Sequence, residues 1–180
     1  MSSTNRQNKI RLARFRQTPN FCGPAVLKMV FDYFGKNLTE KELVDLTAAT
    51  PMSPDTTRGT GTEHEGLIRA IKAVGGYGFA KEHGTNAELE YFIQTEKLPV
   101  IIGWFDRDDD HYSIVVRVTD KNIIIVDPAE DKKERRLSRQ FFPKIWFDFV
   151  GPKDEQVSWG WFLVVSFAPK KFAVNGGQYY

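Results

Sequence analysis

Two periodicities divide the chain. Over residues 23–93 apolar side chains recur every three or four positions, the spacing of helices with one buried face; from residue 99 onward they come in short blocks rich in Val, Ile and Phe, as in strands. A helix is predicted over 23–34, where Val26, Leu27, Val30, Phe31 and Phe34 share a face and Gly35 supplies the stop. Three further helices are announced by a threonine followed three residues later by a glutamate, a pairing that satisfies two free backbone amides reciprocally: Thr39 with Glu42, Thr62 with Glu65 and Thr85 with Glu88. Gly75-Gly76 closes the second of these. Strands are predicted over 99–105, 111–119, 122–127 and 161–167, with a short helix over 138–146 that Pro143 limits. Helices gathered ahead of strands describe an α+β arrangement with a mostly antiparallel sheet, not an alternating parallel fold.

Composition sets the scale. A chain of 180 residues that is 41% hydrophobic can bury one core, so a single domain is predicted over 12–172, between a polar basic tail at 1–11 and a C-terminal tail at 173–180. The net charge of +2 comes from 25 basic and 23 acidic residues scattered along the chain, which describes a mixed solvated surface and gives no reason to expect a nucleic-acid partner. No segment reaches membrane-spanning length, and the basic stretch 6–16 lacks the apolar run of a secretory signal, so the expected location is the cytoplasm. Oligomeric state is left open. A lone cysteine, Cys22, excludes an internal disulfide and a multi-thiolate zinc site.

That cysteine sits where a thiolate is favoured. Cys22-Gly23-Pro24-Ala25 opens the predicted helix, and the unpaired amides and dipole at a helix N-terminus stabilise negative charge. Pro24 suits a first turn, where its missing N–H costs nothing, and Gly23 lets a substrate approach the backbone. The amide of Cys22 is a candidate oxyanion donor. Gln17 lies upstream in the turn-prone segment Gln17-Thr18-Pro19-Asn20-Phe21, and folding back would make its side chain a second donor.

His111 opens a strand in which Tyr112, Ile114, Val116 and Val118 form one face, which leaves His111 with Ser113 on the other, at the sheet rim, placed to act as a general base. Asp127 ends the next strand, before Pro128. If Val118 pairs with Asn122 across the hairpin, Asp127 falls opposite Ser113 on the face of His111, a diagonal neighbour roughly 7–8 Å away by backbone. A slip of one residue would send the carboxylate to the wrong face. His64, in a first helical turn, and His83, beside Gly84, are read as surface residues. The acidic run 106–110 lacks the glycine and distal glutamate of a helix–loop–helix calcium site, so its carboxylates are expected to be solvated and no metal is assigned.

The ordered set Gln17, Cys22-Gly23-Pro24-Ala25, Gly59-Thr60-Gly61, His111-Tyr112-Ser113 and Asp127-Pro128 resembles family thirty-nine of the cysteine peptidases, whose best-known members are the bacteriocin-processing endopeptidases. The resemblance covers residues 15–147 and is greatest to the stand-alone members. It also takes in Asp32-Tyr33-Phe34-Gly35-Lys36 and Leu98-Pro99-Val100-Ile101-Ile102. It implies a papain-like fold, a peptide or protein substrate, no cofactor, a triad of Cys22, His111 and Asp127, and an oxyanion role for Gln17. Phe21 stands where exporter-linked members often carry an acidic residue, so cleavage after a double glycine is not implied. The same residues also suit acyl transfer to an acceptor other than water, a peptide-binding module without turnover, or a thiol redox sensor.

Overall fold

The computed structural model describes residues 9–51, 61–107, 109–132, 134–151 and 155–180. Helix α1 (Cys22–Tyr33) buries Val26, Leu27, Met29, Val30 and Phe31, and the chain leaves it through Gly35, whose φ of +72° a side chain would strain. Helices α2 (Glu40–Thr47) and α4 (Asn86–Tyr91) both carry the reciprocal cap read from the sequence. Thr39 Oγ1 accepts from the Glu42 amide at 3.2 Å while the Thr39 amide donates to Glu42 Oε2 at 2.7 Å. Thr85 and Glu88 repeat the pattern.

Helix α3 (His64–Ala73) departs from expectation. It is preceded by Glu63 and has no side-chain cap, because Thr62 is used for packing instead. A Cβ on Gly23 would sit 2.6 Å from the Thr62 side chain, and one on Gly66 3.3 Å from it; the Thr62 carbonyl accepts the Tyr112 hydroxyl at 3.0 Å. Gly23 is therefore buried beneath Thr62 and does not leave backbone open to a substrate.

Among the described residues one seven-stranded, wholly antiparallel sheet runs in the order β5-β4-β3-β2-β8-β1-β9. Its members are β1 (Tyr77–Lys81), β2 (Val100–Asp106), β3 (Asp109–Val118), β4 (Asn122–Val126), β5 (Arg135–Ser138), β8 (Phe162–Ser166) and β9 (Gln178–Tyr179). A separate hairpin, β6 (Phe147–Val150) with β7 (Gln156–Trp159), packs against β2 and β3. The class is α+β, with one strand, β1, interposed between helices α3 and α4.

Three other readings change. The helix expected over 138–146 is a single tight turn, Phe142–Lys144. Residues after Phe172, expected as a tail, return to the sheet edge, where Tyr179 pairs with Phe79 and Gln178 with Ala80. Ile10, placed in the basic tail, is buried, and its amide donates to the Val116 carbonyl at 2.9 Å. The sheet centre is covered on both faces, so Ser113 and Val115 are as buried as Ile114 and Val116. Among the described residues no helix is long and apolar enough to cross a membrane.

Candidate active site

Cys22 and His111 stand near the starts of their elements and line one cleft, with Asp127 buried behind them just past a strand end. Cys22 is the first residue of α1, which packs on β3. The first helical bond runs from the Ala25 amide to the Phe21 carbonyl at 3.0 Å, and Pro24 has no N–H, so the amides of Cys22 and Gly23 have no helix carbonyl to bond. The segment before Cys22 is pinned from several sides. Asn20 adopts φ +70° and its side-chain Nδ2 donates to the Thr50 carbonyl at 2.9 Å. Thr18 donates through backbone and hydroxyl to the Glu40 carboxylate at 3.0 and 2.6 Å. The Gln17 amide donates to the Pro128 carbonyl at 3.1 Å, which ties the approach to Cys22 to the residue after Asp127.

His111 lies near the start of β3 and Asp127 just past the end of β4. Val118 pairs with Ile123, not with Asn122, so the register is one residue off the expected one at the turn; a bulge at Val116 then restores it, and Ile114 meets Val126. Continued one step, the ladder sets Asp127 opposite Ser113 and diagonal to His111. His111 Nε2 is 2.7 Å from Asp127 Oδ1, which leaves Nδ1 for the thiol of Cys22, with which His111 also shares a hydrogen bond.

The charges reinforce one another. Burial alone would lower the His111 pKa, yet hydrogen bonds to Asp127 and Cys22, together with the negative charge of both, carry it from 6.5 up to about 10. Burial works against the Asp127 carboxylate too, but the hydrogen bond and charge of His111, the Ala129 amide and Arg135 hold it at about 2. Asp127 Oδ1 accepts from the Ala129 amide at 2.9 Å as well as from His111, and Oδ2 accepts from Arg135 Nη1 at 2.6 Å.

Arg135 is absent from the sequence reading. Its guanidinium bridges Asp127 to Asp106, which it grips with both Nη1 and Nη2 at 2.6 and 2.9 Å, and it lies over the Trp104 ring 5.1 Å from the centroid. Trp104 in turn donates to Ser113 Oγ at 3.1 Å and sets its ring edge-on to His111. The residue hides in the charged run 130–136, where only β5's alternation of half-buried and exposed positions separates Arg135 from Arg136.

The structure thus brings Cys22, His111 and Asp127 together. It places Gln17 nearby through its backbone, with its side-chain Oε1 buried and lacking a hydrogen-bond partner among the described residues. Gly61 lines the cleft, whereas Gly59 and Thr60 lie outside the described residues. His83 is exposed, as read, but His64 is not a surface residue: it is 6% exposed, stacked on Trp161 with centroids 3.7 Å apart, and bonded through Nε2 to Asp148 Oδ2 at 2.8 Å. The aromatic flanks of Phe147-Asp148-Phe149, one acid inside an otherwise apolar strand, were the available signal for that pair.

Comparison with known proteins bears on the family and the fold. The model of the Peptidase C39 family matches residues 14–150. The chain is 29% identical over 129 residues to the pediocin PA-1 transport/processing ATP-binding protein PedD of Pediococcus acidilactici, a match that takes in 71% of this chain and 16% of that longer protein. Among solved structures, the peptidase domain of Streptococcus ComA superposes with a TM-score of 0.63 at 20% identity, covering 87% of this chain and 98% of that one. A double glycine motif protease from an AMS/PCAT transporter, solved with its leader peptide, gives 0.58 at 20% identity, covering 89% and 94%.

Proposed function

The chain belongs to the Peptidase C39 family and has a cysteine peptidase fold, and from that premise we propose that it hydrolyses peptide bonds with Cys22 as nucleophile. The observation that carries the reading is the chain of contacts from Cys22 through His111 to Asp127, in which one ring nitrogen serves the sulfur and the other is fixed by a buried carboxylate.

A histidine held up to about 10 is a strong enough base to take and keep the proton that the sulfur gives up. Sulfur attacks the peptide carbonyl as its proton passes to His111. The Cys22 amide donates to the developing oxyanion, with the Gln17 side chain as second donor. His111 gives its proton to the leaving amine, then takes one from the water that releases the acyl group. Asp127 holds the ring orientation throughout. One relative is a transport/processing protein and one neighbouring structure was solved with a leader peptide, which supports a peptide or protein substrate.

The test pairs two measurements. Wild-type protein is incubated with a diverse peptide library, cleavage is read by mass spectrometry, and iodoacetamide labelling of Cys22 is timed in wild type and in His111→Ala. Cleavage that disappears in Cys22→Ala, with labelling at least tenfold slower in His111→Ala at pH 7, is expected. Equal labelling rates, or cleavage that survives loss of the sulfur, would sink the proposal.

A further inference from the structure

The cleft that holds Cys22 and His111 is also lined by four carboxylates the proposed chemistry does not use: Glu63, Asp109, Asp110 and Asp148. Among its described lining residues the one basic side chain is His111, already engaged by Cys22 and Asp127. Asp148 is the unusual member. It is 3% exposed, and its Oδ2 is committed to His64, whose ring is clamped on Trp161. Its other oxygen, Oδ1, is buried with no hydrogen-bond partner among the described residues.

A carboxylate oxygen taken from water and left unbonded is costly, and a positive group brought into the cleft would offset that cost. The field there is negative over some distance. Tyr112, on the cleft wall, is pushed well above the usual phenol range by burial first, then by Asp148, Cys22, Glu63 and Asp110. Among the described residues no three His, Cys, Asp or Glu side chains converge closely enough to hold a metal ion. The carboxylates therefore suit an organic cation better than a metal ion. The space is about 110 Å³, smaller than most cofactor sites and suited to one side chain.

We infer that this cleft selects peptides with a Lys or Arg side chain beside the bond presented to Cys22, with Asp148 as the deep carboxylate and Asp109 as a carboxylate of the rim. The inference deepens the peptidase reading and rests on it for the position of the cut. Glu63 and Asp110 add to the field whatever else they bond.

Peptides acetylated at the N-terminus and identical except for Lys, Arg, norleucine or Glu, placed at each position flanking the cut in turn, test it. At one position wild type is expected to favour Lys or Arg over norleucine at least tenfold in kcat/KM, with the ratio shrinking as salt rises. The ratio is expected to fall severalfold in Asp148→Asn and in Asp109→Asn, the second of which changes an exposed residue and keeps the test open if the first fails to fold. A wild-type ratio near one at every position, or ratios unchanged in each variant that folds, would overturn the inference. So would a preference that appears only when the N-terminus is left free, since that assigns the cation to an α-ammonium. Binding of the same peptides to Cys22→Ala, read by fluorescence anisotropy, separates the two ideas. Preference for Lys in binding without turnover by wild type keeps the cleft and sinks the peptidase; turnover without preference does the reverse.

Discussion

Replacing Arg135 with Met removes a guanidinium that serves two carboxylates and a ring while keeping much of the packing volume. Asp127 would keep Oδ1 paired with His111 and the Ala129 amide but lose the partner of Oδ2 at a site 1% exposed; Asp106 would lose both of its bonds to the guanidinium. Breaking a buried pair by removing one partner costs about 3–5 kcal/mol, and because the Arg135 side chain is 18% exposed the lower end applies, about 3 kcal/mol. For a chain of 180 residues each kcal/mol shifts Tm by roughly 2–4 °C, so a drop of roughly 6–12 °C is expected. Loss of stability alone does not make Arg135 a positioning residue. Two further readouts do. Arg135 is among the groups that hold Asp127 at about 2 against the effect of burial, so in the variant the acid unfolding midpoint should move to higher pH. Arg135→Lys retains the charge but not the two-pronged grip on Asp106, so it should recover part of the rate of the proposed peptide cleavage, chiefly in kcat. A Met variant with Tm within about 2 °C of wild type and an unmoved acid midpoint would refute the reasoning.

Two further outcomes follow from the same coordinates. The His111 pKa is raised from 6.5 to about 10 on folding, so its contribution to stability is complete below about pH 6.5 and is lost as pH rises through about 10. The difference in urea stability between wild type and His111→Ala should shrink over that window by up to about 5 kcal/mol, at 1.36 kcal/mol per unit; a difference that stays flat with pH would contradict the shift. In Gly103→Ala the new Cβ would lie 2.1 Å from Asp148 Oδ2 and 3.3 Å from His64 Nε2, so overpacking of about 2 kcal/mol and a Tm drop of roughly 4–8 °C are expected; an unchanged melting curve would show that the Asp148–His64 pair can move.

The parts of the fold legible in the sequence are those where local chemistry and burial agree. Helix α1 has one apolar face and a glycine stop, α2 and α4 have caps made by their own residues, and β2, β3, β4 and β8 are dense in β-branched residues. The parts that escaped depend on partners remote in sequence. Strand β1 is short, carries Gly78, and owes its place to pairing with β8 on one side and β9 on the other. Strand β5 is an edge strand of sequence Arg-Arg-Leu-Ser, with no apolar run to announce it. Thr62-Glu65 carried the same local signal as the two true caps, but the packing of Gly23 and Gly66 against Thr62 overrode it.

The candidate site shows the same division at finer scale. Residue type and spacing point to Cys22, His111 and Asp127, yet the hairpin that joins the last two does not follow the simple pairing from which their proximity was argued. With Val118 opposite Ile123 and no irregularity, the ladder would run on to set Asp127 opposite Ile114, and its carboxylate would leave the face of His111. The bulge at Val116 absorbs one residue and returns Asp127 to the position opposite Ser113. The Val116 carbonyl is taken by the amide of Ile10, a residue of the polar, basic N-terminal stretch. Nothing in the run His111 to Val118 marks which valine will bulge, since Val115 and Val116 are alike in sequence and equally buried. The hydrogen bond at Asp127 therefore depends on a backbone irregularity that long-range packing selects, and the correct face was reached from the sequence through a register that the turn itself does not adopt.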